Sequence, residues 1–220
     1  MTGFLRAAAA ILTLLLAPIA AAATESVLSF SADLTVDATN TLTVVEKIGV
    51  HSEGNKIVRG ITRAIPATVI DATGKAVPVK ISNIVVARDG YADGVEITEG
   101  KDAVNIRIGK PDVKLGNGDH IYTISYTVTG AITGDAAARR LAWFVTGYDW
   151  TLPIENSAAR IYLPAGSGSA TVAASAGARG ADTGQATISE ASPGRIVAAM
   201  PKPLEPGQGL AVAVTWAAAP

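Results

Sequence analysis

Three charged side chains stand where the alternation of a β-strand places apolar ones. Glu46 shares the parity of four apolar residues: Leu42, Val44, Ile48 and Val50. Arg59 and Arg63 alternate in the same way with the isoleucines at positions 57, 61 and 65. Because alternate strand residues face the same side, these charges are predicted to point toward a core. A buried carboxylate is costly unless it is paired, and a planar guanidinium matches it. We therefore expect Glu46 to pair with Arg59 or Arg63 at a sheet face.

Such a charged cluster admits three interpretations. It could be an ion pair that fixes strand register without binding a ligand. The strand could instead be exposed to solvent, where the charges need no partner. Alternatively, Glu46, Arg59 and Arg63 could belong to a binding pocket, because perturbed carboxylates gather at functional sites.

Three aromatic side chains close together in sequence form a second candidate binding set. They are Trp143, Tyr148 and Trp150. If they line one end of a sandwich, they could stack on a sugar or a peptide. Tryptophans in such folds more often pack in the core, so both interpretations stay open.

Catalytic and metal-binding patterns are weak in this chain. His51 and His120 are far apart, and the chain has no cysteine, so a zinc site would need both histidines and a carboxylate. The Asp89–Gly94 segment lacks the ligand spacing of a calcium loop and is better explained by two turns. No nucleophile elbow or phosphate-binding glycine loop occurs. We expect no catalytic set, no metal site and no cofactor.

Strand-like alternation dominates the elements that must position these residues. Apolar and hydroxyl side chains alternate from Ile121 to Thr129, after an Asn117-Gly118 hairpin signal. Further predicted strands are Val27–Val36, Leu42–Val50, Ile57–Ile65, Val79–Ala87, Val104–Ile108, Leu141–Val145, Ala159–Leu163, Ala186–Glu190, Arg195–Met200 and Leu210–Trp216. Asp135–Arg140 is predicted to form a single helical turn.

Many short strands at intervals of about ten residues are typical of a sandwich. We predict an all-β protein, an antiparallel β-sandwich of the immunoglobulin or jelly-roll type. It is expected to form one elongated domain over residues 24–220. After Pro164 the composition shifts toward small residues, which we interpret as small-residue strands rather than a low-complexity tail.

The first 23 residues predict export. Arg6 precedes a short apolar run, Pro18 breaks that run, and Ala21-Ala22-Ala23 offers a cleavage site. Export without cysteine favours a bacterial periplasm or cell surface. A net charge of −1 without a basic stripe argues against a nucleic-acid partner. Beyond residues 1–23, no apolar stretch predicts a membrane span.

Several segments, in this order along the chain, resemble a known family. They are Val44–Ile48, Arg59–Pro66, Ile106–Gly109, Ile121–Tyr126, Leu141–Trp143 and Gly147–Ile154. They resemble the N-terminal domain of the DUF2207 family of predicted membrane proteins, most strongly over residues 26–164. The turn at Leu204–Leu210 is also similar.

The resemblance implies a signal peptide followed by an exported β-rich domain, with no known activity. Typical members continue into a transmembrane helix, whereas this sequence ends at Pro220. We therefore expect any membrane association to come from an uncleaved signal or a partner.

These observations favour a non-enzymatic envelope module that recognises a protein or polymer through one end or edge of the sandwich. Two alternatives stay open: a hydrolase acting on envelope carbohydrate or peptide, and a structural ectodomain that supports a membrane partner. The sequence does not indicate an oligomeric state.

Overall fold

The computed structural model describes residues 24–181, 186–192 and 194–218, and this part forms sixteen strands and no helix. The strands are β1 (Ser26–Val36), β2 (Leu42–Ser52), β3 (Ile61–Pro66), β4 (Thr68–Ile70), β5 (Ala76–Pro78), β6 (Lys80–Arg88), β7 (Val95–Glu99), β8 (Ala103–Ile108), β9 (Gly118–Thr129), β10 (Ile132–Gly134), β11 (Arg139–Phe144), β12 (Ser157–Tyr162), β13 (Ala170–Ala178), β14 (Thr187–Ser192), β15 (Arg195–Met200) and β16 (Gln208–Trp216). The predicted all-β class is confirmed. The predicted signal segment lies outside the described residues. No helix in the described part is long and apolar enough to cross a membrane.

The largest sheet has seven strands in the order β14-β15-β12-β1-β2-β9-β6. Its neighbours are antiparallel except β1 and β12, which run parallel from Phe30↔Ser157 to Thr35↔Tyr162. The predicted antiparallel arrangement therefore contains one parallel pair. Parallel neighbours need a long crossover, and here the chain between β1 and β12 contains β2–β11, which include every strand of the three- and two-stranded sheets.

Three smaller sheets complete the architecture. One contains β10-β11-β16-β13, another contains β3-β8-β7, and β4 pairs with β5. Side chains from the seven-, four- and three-stranded sheets meet in one cluster of buried apolar residues. In β2 and β9 buried positions alternate with more exposed ones, which places the mainly apolar face of each strand against this core. The outer face of β9 is rich in hydroxyl groups. The arrangement is sandwich-like.

Strands β4, β5, β7, β10 and β13 are not predicted by the sequence, and three features that the sequence does predict differ in the structure. The predicted strand Ile57–Ile65 begins only at Ile61, because Gly60 has a φ of +116°, which interrupts the extended backbone. A side chain at position 60 would place its Cβ 1.8 Å from the Ile108 carbonyl oxygen, so only glycine fits there. The predicted helical turn at 135–140 is a bend that leads into β11. The Asn117-Gly118 signal does not join paired strands, because β8 and β9 lie in different sheets.

Candidate functional site

Glu46 and Arg63 form a doubly hydrogen-bonded ion pair inside the core. The Arg63 Nε and Nη2 atoms each donate to one Glu46 carboxylate oxygen at 2.8 Å. The two residues are 0 % and 1 % exposed. The prediction that Glu46 points inward and pairs with an arginine is confirmed, with Arg63 as the partner.

Every hydrogen-bond donor of Arg63 is used. Its Nη1 atom donates to the carbonyl oxygens of Ala64 (2.6 Å) and Thr146 (3.0 Å), and Nη2 also donates to that of Val145 (2.9 Å). With the two bonds to Glu46, these account for all five N–H groups of a guanidinium. Arg63 therefore has no N–H group left to offer a ligand unless the network opens.

Burial and the ion pair act in opposite directions on the pKa values of this network. Burial alone lowers the pKa of Arg63, but the adjacent Glu46 carboxylate raises it, and the net direction is upward. Tyr126 donates its hydroxyl to Glu46 at 2.7 Å, and burial followed by the nearby carboxylate raises its pKa well above the ordinary value. Arg63 stays charged and Tyr126 stays a neutral donor at any physiological pH.

Two neighbours shape the space around the guanidinium. Phe30 presents its ring 5.2 Å from the Arg63 Cζ atom, a cation–π distance. Gly147 has φ +72°, and a Cβ there would lie 2.7 Å from Arg63 Nη1. Glycine at 147 thus permits both the left-handed backbone and the close approach of the cation.

Arg59 does not join this network, which corrects the expectation that both arginines share one face. Arg59 lies before β3 in a non-strand segment and is exposed. The turn at Gly60 breaks the alternation that related Arg59 to Arg63. Parity counting holds only while the backbone stays extended.

The three aromatic candidates occupy different environments. Trp143 is 2 % exposed and belongs to the core. Tyr148 is half-buried, packs edge-on against Phe144 with ring centroids 5.5 Å apart, and has the Arg179 guanidinium 5.2 Å from its own centroid. Trp150 is half-buried and donates its indole N–H to the Thr146 carbonyl at 2.9 Å. The structure therefore does not gather the three rings on one surface.

A polar groove brings Arg59 and Trp150, two of the predicted binding residues, to its opposite ends. It consists of two adjoining cavities of about 260 Å³ and 190 Å³ that share the floor residues Lys56, Gly60, Ile61 and Thr62. We call it the Thr62 groove. Asp149–Leu152 forms one wall, while Arg59 and Arg107 stand at the other end. Together the cavities reach the size range of small-ligand sites.

The end of the groove near Arg59 is cationic. Lys56, Arg59 and Arg107 line it, and no acidic residue among those that the structure describes does. Arg107 contacts Glu96 at 3.5 Å, with the two side chains 40 % and 70 % exposed, so this contact is weak. At the opposite end Asp149 supplies a carboxylate. The groove is thus electrically polarised along its length.

Glu25 holds the loop that carries Lys56. Its carboxylate accepts backbone N–H bonds from Glu53, Asn55, Lys56 and Ile57. Burial raises the pKa of Glu25, but these N–H donors outweigh it and lower the pKa overall. A converging set of backbone N–H groups is an anion cradle, and here the chain's own carboxylate fills it.

The two histidines lie at the end of β2 and the start of β9. His51 bridges Asp119 Oδ1 at 2.6 Å and Glu53 Oε1 at 2.8 Å, and these hydrogen bonds raise its pKa. His120 contacts Asp89 at 2.8 Å and the Gly116 carbonyl at 2.9 Å. Within the described residues no group of three or more His, Asp or Glu side chains is arranged so that it could hold a metal ion.

Sequence reasoning missed Lys56, Thr62, Arg107 and Asp149 as groove residues. Thr62 and Arg107 are partners in the β3–β8 register, and each lies at a position of its strand that faces away from the core. This alternation predicts that a residue is exposed, but it does not predict that the residue lies near a groove. Lys56 and Asp149 lie in loops, where no periodicity applies.

The family comparison covers nearly the whole described chain. Residues 26–216 match the family model described as "Predicted membrane protein (DUF2207) N-terminal domain". A curated relative, the uncharacterized protein YciQ of Escherichia coli strain K12, is 25 % identical over 130 residues. That alignment covers 59 % of this chain and 21 % of the relative, so the chain matches only about a fifth of that protein.

Solved structures show a likeness of fold. Native leukotriene A4 hydrolase from Saccharomyces cerevisiae superposes with a TM-score of 0.50 at 11 % identity. The superposition covers 86 % of this chain and 29 % of the yeast protein. At this identity the likeness concerns the path of the backbone and not the chemistry.

Proposed function

This chain belongs to the family of predicted membrane proteins defined by the DUF2207 N-terminal domain, and on that premise we propose that it is an exported, non-enzymatic recognition module. It binds a protein or polymer of the cell envelope through the Thr62 groove. Residues 1–23 act as its export signal, and membrane association comes from that segment or from a partner.

The contrast between two charged sites carries the proposal. Glu46 and Arg63 are buried and satisfy each other and their carbonyl acceptors. The cations of the Thr62 groove line a cavity, where Lys56 and Arg59 are exposed and Arg107 is partly exposed. An exposed concave site with several uncommitted polar groups can exchange water for a ligand, whereas a saturated buried pair stabilises the fold.

Site-specific crosslinking in living cells tests this function. A photoreactive amino acid replaces Thr62 in the groove, and a matched variant carries it at Thr43, an exposed threonine of β2 outside the groove. We expect a discrete adduct from position 62 that is absent from position 43.

Identification of the adduct by mass spectrometry would name the partner. Absence of an adduct at position 62, or the same adduct from both positions, contradicts recognition through the groove. Turnover of peptidoglycan fragments by the purified protein would instead support the hydrolase alternative.

A further inference from the structure

We propose that the Thr62 groove binds an acidic peptide in extended conformation, which adds a short strand to the free edge of β3 and places a carboxylate among Lys56, Arg59 and Arg107. This inference rests on the proposed recognition function and names its ligand class. It follows from the direction of the β3 backbone groups and from the charges at the two ends of the groove.

The free edge of β3 faces the groove. β3 is the outer strand of the β3-β8-β7 sheet, so in the described part of the chain one of its edges has no strand paired with it. The Ala64 carbonyl accepts Arg63 Nη1, and an added Cβ on Gly147 would lie 3.4 Å from its oxygen. That carbonyl therefore points away from β8, toward the chain near Gly147.

The backbone groups of Thr62 point to the same edge of β3 as the Ala64 carbonyl. Residues two apart in a strand point their N–H and C=O groups to the same edge, so those of Thr62 point the same way as those of Ala64. Pro66 has the same parity, which agrees because proline has no N–H to offer a ladder. Pairing with β8 is therefore left to Ile61, Arg63 and Ile65.

Only the first part of this edge is open to a ligand. Beside Ala64 the edge is covered by the chain at Val145–Gly147, whose carbonyls bind Arg63. Beside Thr62, which is exposed, the groove begins. An incoming peptide can hydrogen-bond there with its main chain, as in other cases of strand addition.

The charges select the sequence and direction of the peptide. A carboxylate at the end near Arg59 and Arg107 gains charge-assisted hydrogen bonds. At the opposite end Asp149 repels a carboxylate and favours a basic group, while Trp150 lines the same cavity and offers a ring for an apolar side chain. An acidic segment fits this pattern better than a neutral polymer.

Selection from a random library tests the ligand class. The purified protein is panned against displayed random twelve-residue peptides, and the selected peptides are synthesised and titrated by fluorescence anisotropy. We expect enrichment of Asp and Glu. We expect Arg59→Glu to weaken binding about tenfold or more, since it removes one favourable charge contact and adds a repulsive one.

The control variant is Lys202→Glu, which makes the same charge change at an exposed residue that does not line the groove. It is expected to bind like the wild type. Unfolding midpoints of both variants verify that they fold. A peptide in which the acidic residue is replaced by its amide tests the same contact without altering the protein.

N-methylation of single peptide amides tests strand addition. We expect binding to fall when the amide that faces Thr62 is methylated, and to persist when the adjoining amide, which points away from β3, is methylated. Selection of non-acidic peptides, no selection at all, binding insensitive to Arg59→Glu, or no methylation-sensitive position would overturn the inference. A crosslinked adduct from Thr62 in cells would still support the recognition function.

Discussion

Two buried tyrosines of β9 differ in what their hydroxyl groups contact. Tyr126 donates to Glu46 at 2.7 Å. The Tyr122 hydroxyl is buried and has no hydrogen-bond partner among the described residues, and burial raises its pKa to about 12. The two residues lie on the same face of one strand, so their phenylalanine variants form a matched pair.

We expect Tyr126→Phe to lower the free energy of unfolding by about 1.5–3 kcal/mol, the usual worth of a hydrogen bond to a charged group. Tyr122→Phe removes an unpaired buried hydroxyl, so it is expected to change stability by less than about 0.5 kcal/mol or to increase it. Urea unfolding of both variants measures the difference. Equal losses would mean that the bond to Glu46 contributes nothing specific.

His51 makes stability depend on pH. Hydrogen bonds to Asp119 and then to Glu53 raise its pKa in the folded state above the value of 6.5 expected for the unfolded chain. A raised folded-state pKa means that the folded protein holds the proton more tightly. The contribution is therefore fully present below pH 6.5 and is lost as the pH rises through the higher folded-state value.

The urea unfolding midpoint is measured for the wild type and for His51→Asn at about pH 5.5 and at about pH 8.5. We expect the wild type to have the higher midpoint, and the difference between the two proteins to be larger at the lower pH. The comparison between proteins cancels the pH effects of the other titrating groups. Glu53→Gln should reduce the same difference, since it removes one acceptor. A difference that grows toward high pH would contradict the assignment.

The connection between β11 and β12 reaches into the core through its backbone. Val145 and Thr146 present carbonyls to Arg63, and Gly147 leaves room for the guanidinium. Gly207, in the turn before β16, has a similar φ of +80° but nothing within 4 Å of an added Cβ. An alanine at position 207 therefore tests backbone strain alone, whereas an alanine at position 147 tests backbone strain together with a steric conflict with Arg63.

We expect Gly207→Ala to cost about 1–2 kcal/mol, the penalty of a left-handed residue with a side chain. Gly147→Ala pays the same penalty and also displaces Arg63, which adds about 1–3 kcal/mol of overpacking. Thermal or urea unfolding compares the two. Equal losses would show that the guanidinium moves aside without cost.

Arg63 connects three sheets of the molecule. It belongs to β3, binds Glu46 of β2 in the seven-stranded sheet, and binds carbonyls at the end of β11 in the four-stranded sheet. Its removal leaves the buried Glu46 carboxylate without its cationic partner and takes one donor from each of the Val145 and Thr146 carbonyls. The effect should therefore reach the stability of the whole described domain.

We expect Arg63→Met to lower the free energy of unfolding by about 3–5 kcal/mol, because one partner of a buried pair is left charged and unpaired. Arg59→Met makes the same chemical change at an exposed residue and should cost less than about 0.5 kcal/mol. Urea unfolding measures both. A small loss for Arg63→Met would mean that Glu46 takes up a proton or reaches water at little cost.

The sequence by itself determined the all-β class, most strand positions and the inward direction of Glu46. These follow from alternation, which is a local property: the parity of Leu42–Val50 is enough to place Glu46 among buried residues, and a buried carboxylate requires a cationic partner. In the last quarter β14, β15 and β16 were also recognisable from local pattern, whereas β13 was not.

Only the tertiary structure decided which arginine pairs with Glu46 and which residues share a groove. The positive φ of Gly60 interrupts the extended backbone between Arg59 and the start of β3. Parity therefore no longer relates Arg59 to Arg63. Sheet order, the parallel β1–β12 pair and the meeting of Thr62 with Asp149–Leu152 depend on contacts between residues distant in sequence. Alternation fixes the face of a residue, but the partner across the core is fixed only when the whole chain packs.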